Sequence, residues 1–489
     1  MTQIYPDDSL TLHTDAYQIN MMQTYWEQGI HNRHAVFEVF FRKMPFQNGY
    51  AIFAGLERVV NYINNLHFTE TDIAYLREAE DYPEGFLDYL KNFKFDATIR
   101  SAREGDLVFN NEPLMQVEGS LATCQLIETA LLNIINYQTL IATKAARIKS
   151  VVGEEDGLLE FGTRRAQEMD AAIWGTRAAY IGGFDATSNV RAGKIFGIPI
   201  SGTHAHALVQ TYRNDYAAFK AYAETHHDCV FLVDTYDTLR SGVPSAIKVA
   251  KEMGDKINFQ GVRIDSGDMA YLSKRVREQL DEAGFPDAKV YASNDLDEKT
   301  IQNLKMQGAK ISVWGVGTKL ITAFDQPALG AVYKMVSIED DNGKMVDTIK
   351  LSNNAEKVST PGRKQVWRIT KRADGKSEGD YVTLYDEDPR NEESIYMFHP
   401  SYTYINKTVS DFDARPVLIP IYDQGKQVYD LPALKEIKQY AYDSLDSLWD
   451  EYKRDLNPQD YPVDLSQKLY DHKMNIIHSV RDWVNKKDY

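Results

Sequence analysis

Charged and hydroxyl side chains recur in the middle of this chain, each time directly after a short apolar run. Seven segments show the pattern: LLEFGTRRA, GGFDATSNV, GIPISGTHAHA, CVFLVDTYDT, FQGVRIDSGD, KVYASNDLD and ISVWGVGTKL. Asp234, Asp265 and Asn294 stand at three successive stops, 31 and 29 residues apart, which is about the length of one strand and one helix. Because sites on such folds gather where strands end, we expect these side chains to converge on one cleft. Their chemistry suits an anionic, phosphorylated ligand.

The segment GVRIDSGD, residues 261–268, carries the densest chemistry. An apolar strand delivers Arg263, and two carboxylates, Asp265 and Asp268, flank a Ser-Gly turn. A magnesium–pyrophosphate group needs hard oxygen ligands and a neighbouring cation for its remaining charge. The alternative is a strand end followed by a capped helix, with Asp265 or Ser266 as the N-cap.

The segment WGVGTKL, residues 314–320, favours phosphate binding. Gly315 and Gly317 would let backbone N–H groups approach a phosphate, and Thr318 would add a hydroxyl donor at a helix start. Such turns are common, so the motif alone fits an ordinary strand–helix junction equally well. Its position at a late strand of the repeat favours the phosphate site. No GxxxxGK[ST] motif occurs in the chain, so this is not a Walker A loop.

The segment SGTHAHA, residues 201–207, places His204 and His206 two positions apart. In an extended segment the two would share a face, and an inward histidine could act as a base or a nucleophile. Two structural histidines are the alternative. A metal pair is a further one, although no cysteine or third ligand stands nearby.

Two further strand ends add groups for a flat, anionic ring. In FGTRRA, Phe161 offers a stacking face, and Arg164 and Arg165 offer guanidinium donors for a carboxylate or a phosphate. In GGFDATSNV, Asp185 and Ser188 follow the next apolar run. Both segments also fit ordinary strand–helix junctions with solvated arginines.

The segment VDTYDT contributes Asp234 and Asp237. These carboxylates could contact ribose hydroxyls, stabilise a cationic transition state, or merely cap a helix.

These stops require strands and helices in alternation. Helical stretches such as 245–253 and 269–283 separate the apolar runs, so we predict a mainly parallel sheet, and seven strand ends favour a barrel. The fold class is α/β: an irregular (β/α) barrel with a mixed α+β domain built from the N- and C-terminal segments. We divide the chain into an α+β domain at 1–140, a barrel-like catalytic domain at 141–335, and a segment at 336–489. That last segment is β-rich and then helical, and we expect it to pack on the N-terminal domain.

Two local elements of the first domain are also predicted. Residues 15–28 carry apolar side chains at helical spacing, with Gly29 placed to end the helix. The stretch EGDLVFNNEPLMQVEG favours a β-hairpin that turns at Asn110 and Asn111.

Composition excludes several classes of partner. The 489-residue chain has a net charge of −16, which argues against binding to nucleic acid or to an acidic membrane surface. Its two cysteines, Cys124 and Cys229, lie 105 positions apart, so neither a zinc knuckle nor a disulfide framework is indicated. The N-terminus MTQIYPDDSL lacks the apolar region of a signal peptide. The most apolar stretch, 126–141, is too polar to span a bilayer. We therefore expect a cytoplasmic protein.

The motifs FGTRR, SGTHAH, VDTYDT, GVRIDSGD and GVGT, in this order, strongly resemble nicotinate phosphoribosyltransferase. LHTDAYQINM, the EGDLVF…EP region, TPGRKQVWR and KRDLNPQDYPVDLS are similar too, so the resemblance covers almost the whole chain. It implies a glycosyltransferase of NAD biosynthesis that joins nicotinate to phosphoribosyl pyrophosphate and releases pyrophosphate. It also implies Mg²⁺ as cofactor, and ATP as a co-substrate hydrolysed through a phosphohistidine, as in a ligase.

The same resemblance implies roles for individual residues. His206 would be the phosphohistidine, and Asp234 and Asp265 would face the ribose and the magnesium–pyrophosphate, with the metal near Asp265 and Asp268. The other implied contacts are Thr203 and Arg263 with nicotinate or the sugar phosphate, Thr318 with the 5′-phosphate, Arg164 with the nicotinate carboxylate, and Phe161 with the pyridine ring. Tyr17 of the partner subunit would oppose Phe161, which implies a homodimer with shared active sites.

Ser188 addresses the choice of substrate. Related nicotinamide enzymes carry an aspartate at this strand end, where a carboxylate would accept from an amide but repel nicotinate. The neutral Ser188 therefore favours the acid. The zinc-binding cysteine cluster of some family members is not expected with two distant cysteines. The alternatives are a nicotinamide or quinolinate phosphoribosyltransferase, or a catalytically inactive ligand-binding relative.

Overall fold

A computed structural model describes residues 9–353 and 357–485. Residues 1–8, on which the expectation of no signal peptide mainly rests, lie outside these ranges. The chain divides into two compact units, one formed by 1–140 with 328–489 and the other by 141–327. Within the described ranges, no helix is long and apolar enough to cross a membrane.

The N-terminal part of the first unit alternates helices and short strands. Asp15 stands at the N-cap of the first helix, and Gly29, with φ at +68°, follows its end, so the predicted helix is confirmed. The helices are α1 Ala16–Glu27, α2 Leu56–Asn64, α3 Glu70–Ala79, α4 Glu84–Lys91, α5 Leu121–Leu126 and α6 Glu128–Val151, which contains the boundary between the units. The strands are β1 His34–Phe41, β2 Ala51–Ile52, β3 Thr98–Ser101, β4 Leu107–Val108 and β5 Met115–Ser120.

The second unit is built around a parallel sheet with interspersed helices. Its strands are β6 Gly157–Glu160, β7 Ala186–Thr187, β8 Asp228–Leu232, β9 Asn258–Ile264, β10 Lys289–Asn294 and β11 Val313–Val316. Its helices are α7 Glu168–Ile181, α8 Val190–Phe196, α9 His206–Tyr212, α10 Asp215–Ala223, α11 Val243–Met253, α12 Met269–Glu282, α13 Glu298–Met306 and α14 Thr318–Ile321. The strand order is β7-β6-β11-β10-β9-β8.

Six of the seven predicted strand ends belong to strands of this sheet. At the seventh, Ile200 makes a single parallel bridge to Thr187. Pro199 has no backbone N–H to donate, which limits pairing at this point. The predicted irregular (β/α) barrel is thus present as a half-barrel, with six strands in the sheet and a single bridge at the seventh strand end.

The C-terminal part of the first unit adds ten strands and three helices. The strands are β12 Ala331–Glu339, β13 Met345–Asp347, β14 Lys364–Lys371, β15 Ser377–Leu384, β16 Ser394–Phe398, β17 Asn406–Ser410, β18 Phe412–Pro416, β19 Ile419–Asp423, β20 Lys426–Gln427 and β21 Val463–Leu465. The helices are α15 Leu434–Asp446, α16 Asp450–Lys453 and α17 Gln467–Asn485. Residues 328–335, placed in the middle domain from the sequence, fall in this unit because β12 pairs with β1.

Both ends of the chain contribute to one sheet and one buried ion-pair network. The seven-stranded sheet has the order β13-β12-β1-β5-β3-β19-β20. Buried Arg368 lies 2.8 Å from both Asp106 and Asp380, and Arg415 lies 2.9 Å from Asp106. These contacts join the N- and C-terminal segments, so the predicted α/β fold class with a mixed domain built from both segments is confirmed.

The predicted hairpin at Asn110 and Asn111 is wrong. The chain does turn there, with Asn111 at a φ of +68°. However, β4 pairs with β2, whereas β5 pairs with β1 and β3. The flanking strands are almost wholly buried, and long-range partners compete with the local pairing that the turn suggests.

Candidate active site

The carboxyl ends of the parallel strands border a cavity of about 310 Å³ within the second unit. Ten residues predicted for the site line it: Phe161, Arg164, Arg165, Ser188, Thr203, Arg263, Asp265, Gly315, Gly317 and Thr318. Six other residues line it: Gly202, His204, Ala205, Ser293, Asn294 and Asp295. Of these, Asn294 was expected at the cleft as one of three successive strand ends, and His204 was a candidate base or nucleophile. The strand ends thus gather groups up to 157 residues apart in the chain around one volume.

One wall of the cavity is formed by the turn that follows β6. The backbone N–H of Phe161 donates to the carbonyl of Val316 at 2.8 Å, which holds the ring beside β11. A Cβ at Gly315 would lie 2.6 Å from two ring carbons of Phe161, so any larger residue at this position would displace the ring. Arg164 and Arg165 follow in a single exposed 3₁₀ turn and present their guanidinium groups at the same wall.

A buried carboxylate, not predicted from the sequence, lies directly behind this wall. Glu160 is 1% exposed and accepts hydrogen bonds from the hydroxyls of Thr187 at 2.6 Å and Thr176 at 2.9 Å. It also accepts from the backbone N–H of Gly162. Burial raises the pKa of the Glu160 carboxyl, and these three donors oppose the shift.

A second wall of the cavity begins at the end of β7, the strand that pairs with β6. The N–H of Ser188 donates to the carbonyl of Glu160 at 2.9 Å, and its side chain is exposed to the cavity. The carbonyl of Thr187 accepts from the N–H of Ser201 at 2.8 Å. The second contact ties the SGTHAH segment, including Thr203, to the end of the strand.

The two histidines of SGTHAH have different surroundings. His204 is 8% exposed, and its Nε2 accepts from the N–H of Leu232 at 3.1 Å. Its Nδ1 lies 3.3 Å from the carbonyl of Ala205, so Nδ1 carries the proton of a neutral ring. Burial lowers the pKa of His204 to about 4, and the charges of Arg263 and His206 act in the same direction. Both ring nitrogens are therefore occupied, as in a structural histidine.

His206 lies at the start of α9, with its side chain 38% exposed. Its Nδ1 is 3.0 Å from the hydroxyl of Thr235, and its Nε2 is 3.8 Å from Oδ2 of Asp265. His206 is not among the residues that line the cavity but contacts Asp265, which does. Its ring is accessible to a reagent, in contrast to His204.

A hydroxyl bridges the principal cation and the principal anion of the cavity. Ser293, at the end of β10, accepts from a terminal nitrogen of Arg263 at 3.1 Å and donates to Oδ1 of Asp265. Arg263 and Asp265 are themselves 3.7 Å apart. A second guanidinium nitrogen of Arg263 donates to the carbonyl of His204 at 2.9 Å. Burial lowers the pKa of Arg263, and Asp265 and Asp234 oppose that shift.

The other predicted carboxylates hold the backbone around Asp265. Asp234 accepts from the N–H of Asp265 at 3.1 Å and from the hydroxyl of Ser266 at 2.5 Å, and it does not line the cavity. Asp268 caps α12 by accepting from the N–H of Tyr271 at 2.9 Å. The helix cap considered from the sequence therefore exists, and Asp268 provides it instead of Asp265 or Ser266.

The GVGT turn continues the Phe161 wall, because β11, which it follows, pairs with β6. Gly317 precedes α14, and a Cβ there would lie 3.1 Å from the carbonyl oxygen of Phe161. Thr318 begins the helix and lines the cavity with Gly317. The turn thus packs closely on the Phe161 wall while presenting backbone and hydroxyl groups to the cavity.

Two further features predicted from the sequence are the contact of Tyr17 with the site and a bound metal ion. Tyr17 belongs to the first unit, on α1, and is 48% exposed. Among the described residues, no group of three or more His, Cys, Asp or Glu side chains could hold a metal ion. Within the cavity lining, Asp265 and Asp295 are the carboxylates that a metal ion could contact.

The parallel sheet with interspersed helices, and the cavity at its strand ends, define an α/β protein with an anion-binding site. Three arginines, two carboxylates and a glycine-rich turn line that site. The guanidinium groups of such a set suit a ligand with several negative groups. A carboxylate beside them can stabilise positive charge that develops on the ligand during a reaction.

Comparison with known proteins gives the family. The chain matches the nicotinate phosphoribosyltransferase N-terminal domain over residues 12–136, the nicotinate phosphoribosyltransferase family over 157–359 and the C-terminal domain over 363–473. It is 62% identical to nicotinate phosphoribosyltransferase of Bacillus subtilis, covering 99% of this chain and 98% of that protein. The Caenorhabditis elegans enzyme of the same name is 37% identical, over 95% and 93% of the two chains. The chain belongs to the nicotinate phosphoribosyltransferase family.

A solved structure agrees with this assignment. The crystal structure of human nicotinic acid phosphoribosyltransferase superposes with a TM-score of 0.84 at 29% identity, covering 95% of this chain and 99% of that one. The likeness therefore extends through both units.

Proposed function

We propose that this protein transfers the phosphoribosyl group of phosphoribosyl pyrophosphate to nicotinate, forming nicotinate mononucleotide and pyrophosphate for NAD biosynthesis. The observation that carries the proposal is the cavity of about 310 Å³, which brings together Arg164, Arg165 and Arg263 with Asp265 and the GVGT turn. Three guanidinium groups match a substrate pair that carries one carboxylate and several phosphates.

The pyridine ring is assigned to the part of the cavity between the Phe161 wall and the Ser188 wall. Phe161 offers a ring face for stacking, and the neighbouring Arg164 would bind the nicotinate carboxylate. Because Ser188 is neutral, it does not repel the nicotinate carboxylate. Because the attacking atom is already a ring nitrogen, orientation is the main requirement, and such proximity can contribute about 7–11 kcal/mol.

The phosphoribosyl group is assigned to the part of the cavity lined by Arg263, Asp265 and Thr318. Thr318 and the backbone of Gly317 would hold the 5′-phosphate, and Arg263 would neutralise phosphate charge beside Thr203. The C1–pyrophosphate bond breaks as the pyridine nitrogen forms its bond to C1, and positive charge develops on the ribose. Asp265 would stabilise that charge. Asp234 would hold Asp265 in position by accepting a hydrogen bond from the backbone N–H of Asp265.

Mg²⁺ is proposed to bind with pyrophosphate, whose oxygens would supply most of its ligands. Asp265 lines the cavity and could complete the set, whereas one oxygen of Asp268 already caps α12. When bound, the ion would neutralise the charge on the leaving group.

ATP is proposed to react at His206. The exposed imidazole would attack the terminal phosphorus, a nitrogen–phosphorus bond would form, and ADP would leave. Water would later break that bond and release phosphate. The occupied nitrogens of His204 favour His206 as the acceptor, because His204 would have to give up its contact with Leu232. Charge added at His206 would act on the adjacent Asp265 and the loop that carries it.

A homodimer with shared sites is part of the proposal. The exposed Tyr17 on α1 is available for a second copy of the chain, and its ring would oppose Phe161 across the pyridine. A cytoplasmic location accords with the two buried, unpaired cysteines.

Labelled ATP tests the phosphohistidine directly. The protein is incubated with ATP labelled in the terminal phosphate, and acid-labile, base-stable label is measured on the chain. Wild type and His204→Asn are expected to carry the label, and His206→Ala is expected to carry none. Label that persists in His206→Ala would contradict the assignment. In the same preparations, nicotinate mononucleotide and pyrophosphate should form in equal amounts from nicotinate and phosphoribosyl pyrophosphate.

A further inference from the structure

Glu160 is a buried carboxylate for which the proposed chemistry has no direct use. It ends β6, directly before Phe161, and is 1% exposed. It does not line the cavity. Its hydrogen-bond partners are the Thr187 and Thr176 hydroxyls and the Gly162 N–H. A carboxylate in such a place costs free energy unless its oxygens are satisfied, so these three hydrogen bonds fix the positions of Glu160 and of its partners relative to one another.

The partners of Glu160 lie on both walls of the pyridine end. Gly162 is the residue between Phe161 and the 3₁₀ turn that carries Arg164, and it contacts one carboxylate oxygen. Thr187 directly precedes Ser188 and contacts the other oxygen at 2.6 Å. The backbone carbonyl of Glu160 also accepts from the N–H of Ser188 at 2.9 Å. One residue therefore connects the stacking wall to the wall that bears the specificity residue.

The space around Glu160 is tight on the Phe161 side. A Cβ at Gly162 would lie 2.8 Å from Oε1 of Glu160 and 2.6 Å from Cβ of Ile321. The turn therefore packs directly on the carboxylate, and a change in the carboxylate must move the turn. Because the hydrogen-bond partners of the carboxyl are neutral hydroxyl and amide groups, Glu160 can hold both walls without engaging the guanidinium groups meant for the substrate.

We propose that Glu160 is a positioning residue. It sets the distance between Ser188 on one wall and the pair Phe161 and Arg164 on the other, and thereby the fit of a planar pyridine carboxylate. The inference rests on the proposed function. Loss of the clamp affects binding of the pyridine first, because the Arg263 side of the cavity is held separately by the hydroxyl of Ser293 and the carbonyl of His204.

Isosteric variants at three positions test this role. Glu160→Gln keeps the shape but turns an NH₂ group towards at least one of the three donors. Thr187→Val removes the hydroxyl next to Ser188. Thr176→Val is the matched control, since it removes a hydroxyl from the same carboxylate oxygen but lies on α7, away from both walls. KM for nicotinate and for phosphoribosyl pyrophosphate is measured for each variant, with the melting temperature.

The expected result is a split between the two substrates. Loss of a hydrogen bond to a charged group should raise KM for nicotinate by about tenfold or more in Glu160→Gln and Thr187→Val. KM for phosphoribosyl pyrophosphate should stay within about twofold, and Thr176→Val should change neither by more than about twofold. Equal changes in both KM values, unchanged nicotinate KM in both test variants, or the same effect in Thr176→Val would overturn the inference alone. Wild-type protein that converts no nicotinate would overturn the proposed function and the inference together.

Discussion

Replacement of Ser293 by alanine should weaken the phosphoribosyl end of the site. The Ser293 hydroxyl accepts from Arg263 at 3.1 Å and donates to Asp265, and the side chain is 5% exposed. Without the hydroxyl, the direct interaction between Arg263 and Asp265 is their ion pair at 3.7 Å. The guanidinium can then turn towards the carboxylate. Both groups would then be less available to phosphate and to the developing charge on the ribose.

The magnitude follows from the two contacts that are lost. A hydrogen bond to a charged group contributes about 1.5–3 kcal/mol. Water can enter this cavity and replace one of the two contacts, so the net loss is about 2 kcal/mol. Such a loss of transition-state stabilisation corresponds to a decrease of roughly thirtyfold in kcat/KM.

Initial rates at saturating nicotinate and varied phosphoribosyl pyrophosphate measure this loss. We expect kcat/KM for phosphoribosyl pyrophosphate to fall about thirtyfold, while KM for nicotinate stays within about twofold. Ser273→Ala is the control, because Ser273 is equally buried in the same unit but its hydroxyl contacts only the backbone of Ala270 and Lys310. A decrease of less than about threefold in Ser293→Ala, or the same decrease in Ser273→Ala, would refute the bridging role.

Three other substitutions test separate parts of the site. Gly315→Ala would displace the Phe161 ring, since the new Cβ would lie 2.6 Å from two ring carbons; KM for nicotinate should rise about tenfold or more. Ser188→Asp would add a carboxylate beside the proposed position of the nicotinate carboxylate; for two unit charges at an assumed separation of about 5 Å and an effective dielectric constant of about 20, the repulsion is about 3 kcal/mol and should lower kcat/KM for nicotinate roughly two-hundredfold. His204 has a pKa lowered to about 4 by burial, below the ordinary value of about 6.5, so the unfolded chain binds the proton first. Between pH 7 and 5, wild type should therefore lose about 2 kcal/mol more unfolding free energy than His204→Asn in urea titrations.

Much of the cavity could be predicted from local sequence because its residues follow apolar strands. The residue types at the ends of β6, β9 and β11 have direct chemical meaning, and the parallel sheet brings those ends together. The assignment of Asp234 was less complete: the sequence indicated a carboxylate at the strand end, but its contacts with Asp265 and Ser266 depend on pairing between strands.

Residues that support the site from behind were not predictable in this way. Glu160, Thr187 and Ser293 are the last or nearly last residues of strands, and local sequence gives them no distinct signal. Their roles depend on partners far along the chain, such as the 30 residues between Ser293 and Arg263. A polar residue in an otherwise apolar strand is the signal that could have identified Glu160.

Fold prediction succeeded where periodicity is strong and failed where distant pairing decides. The helix that begins at Ala16 and the repeated strands of the second unit follow from local patterns. Asn111 indicated a turn correctly, but its flanking strands pair with β1, β2 and β3. Such pairing is set by burial over the whole sheet, which a single sequence does not reveal.

A competition among the three pyridines tests the central claim most directly. Ring-deuterated nicotinate is mixed with equal amounts of unlabelled nicotinamide and unlabelled quinolinate. Phosphoribosyl pyrophosphate, Mg²⁺, ATP and the protein are added, and the nucleotides formed are identified by mass spectrometry. The deuterium distinguishes nicotinate mononucleotide made from nicotinate from the same nucleotide made by decarboxylation of quinolinate. We expect deuterated nicotinate mononucleotide as the main product. Predominance of nicotinamide mononucleotide or of the undeuterated nucleotide, or the formation of no nucleotide, would contradict the proposed function.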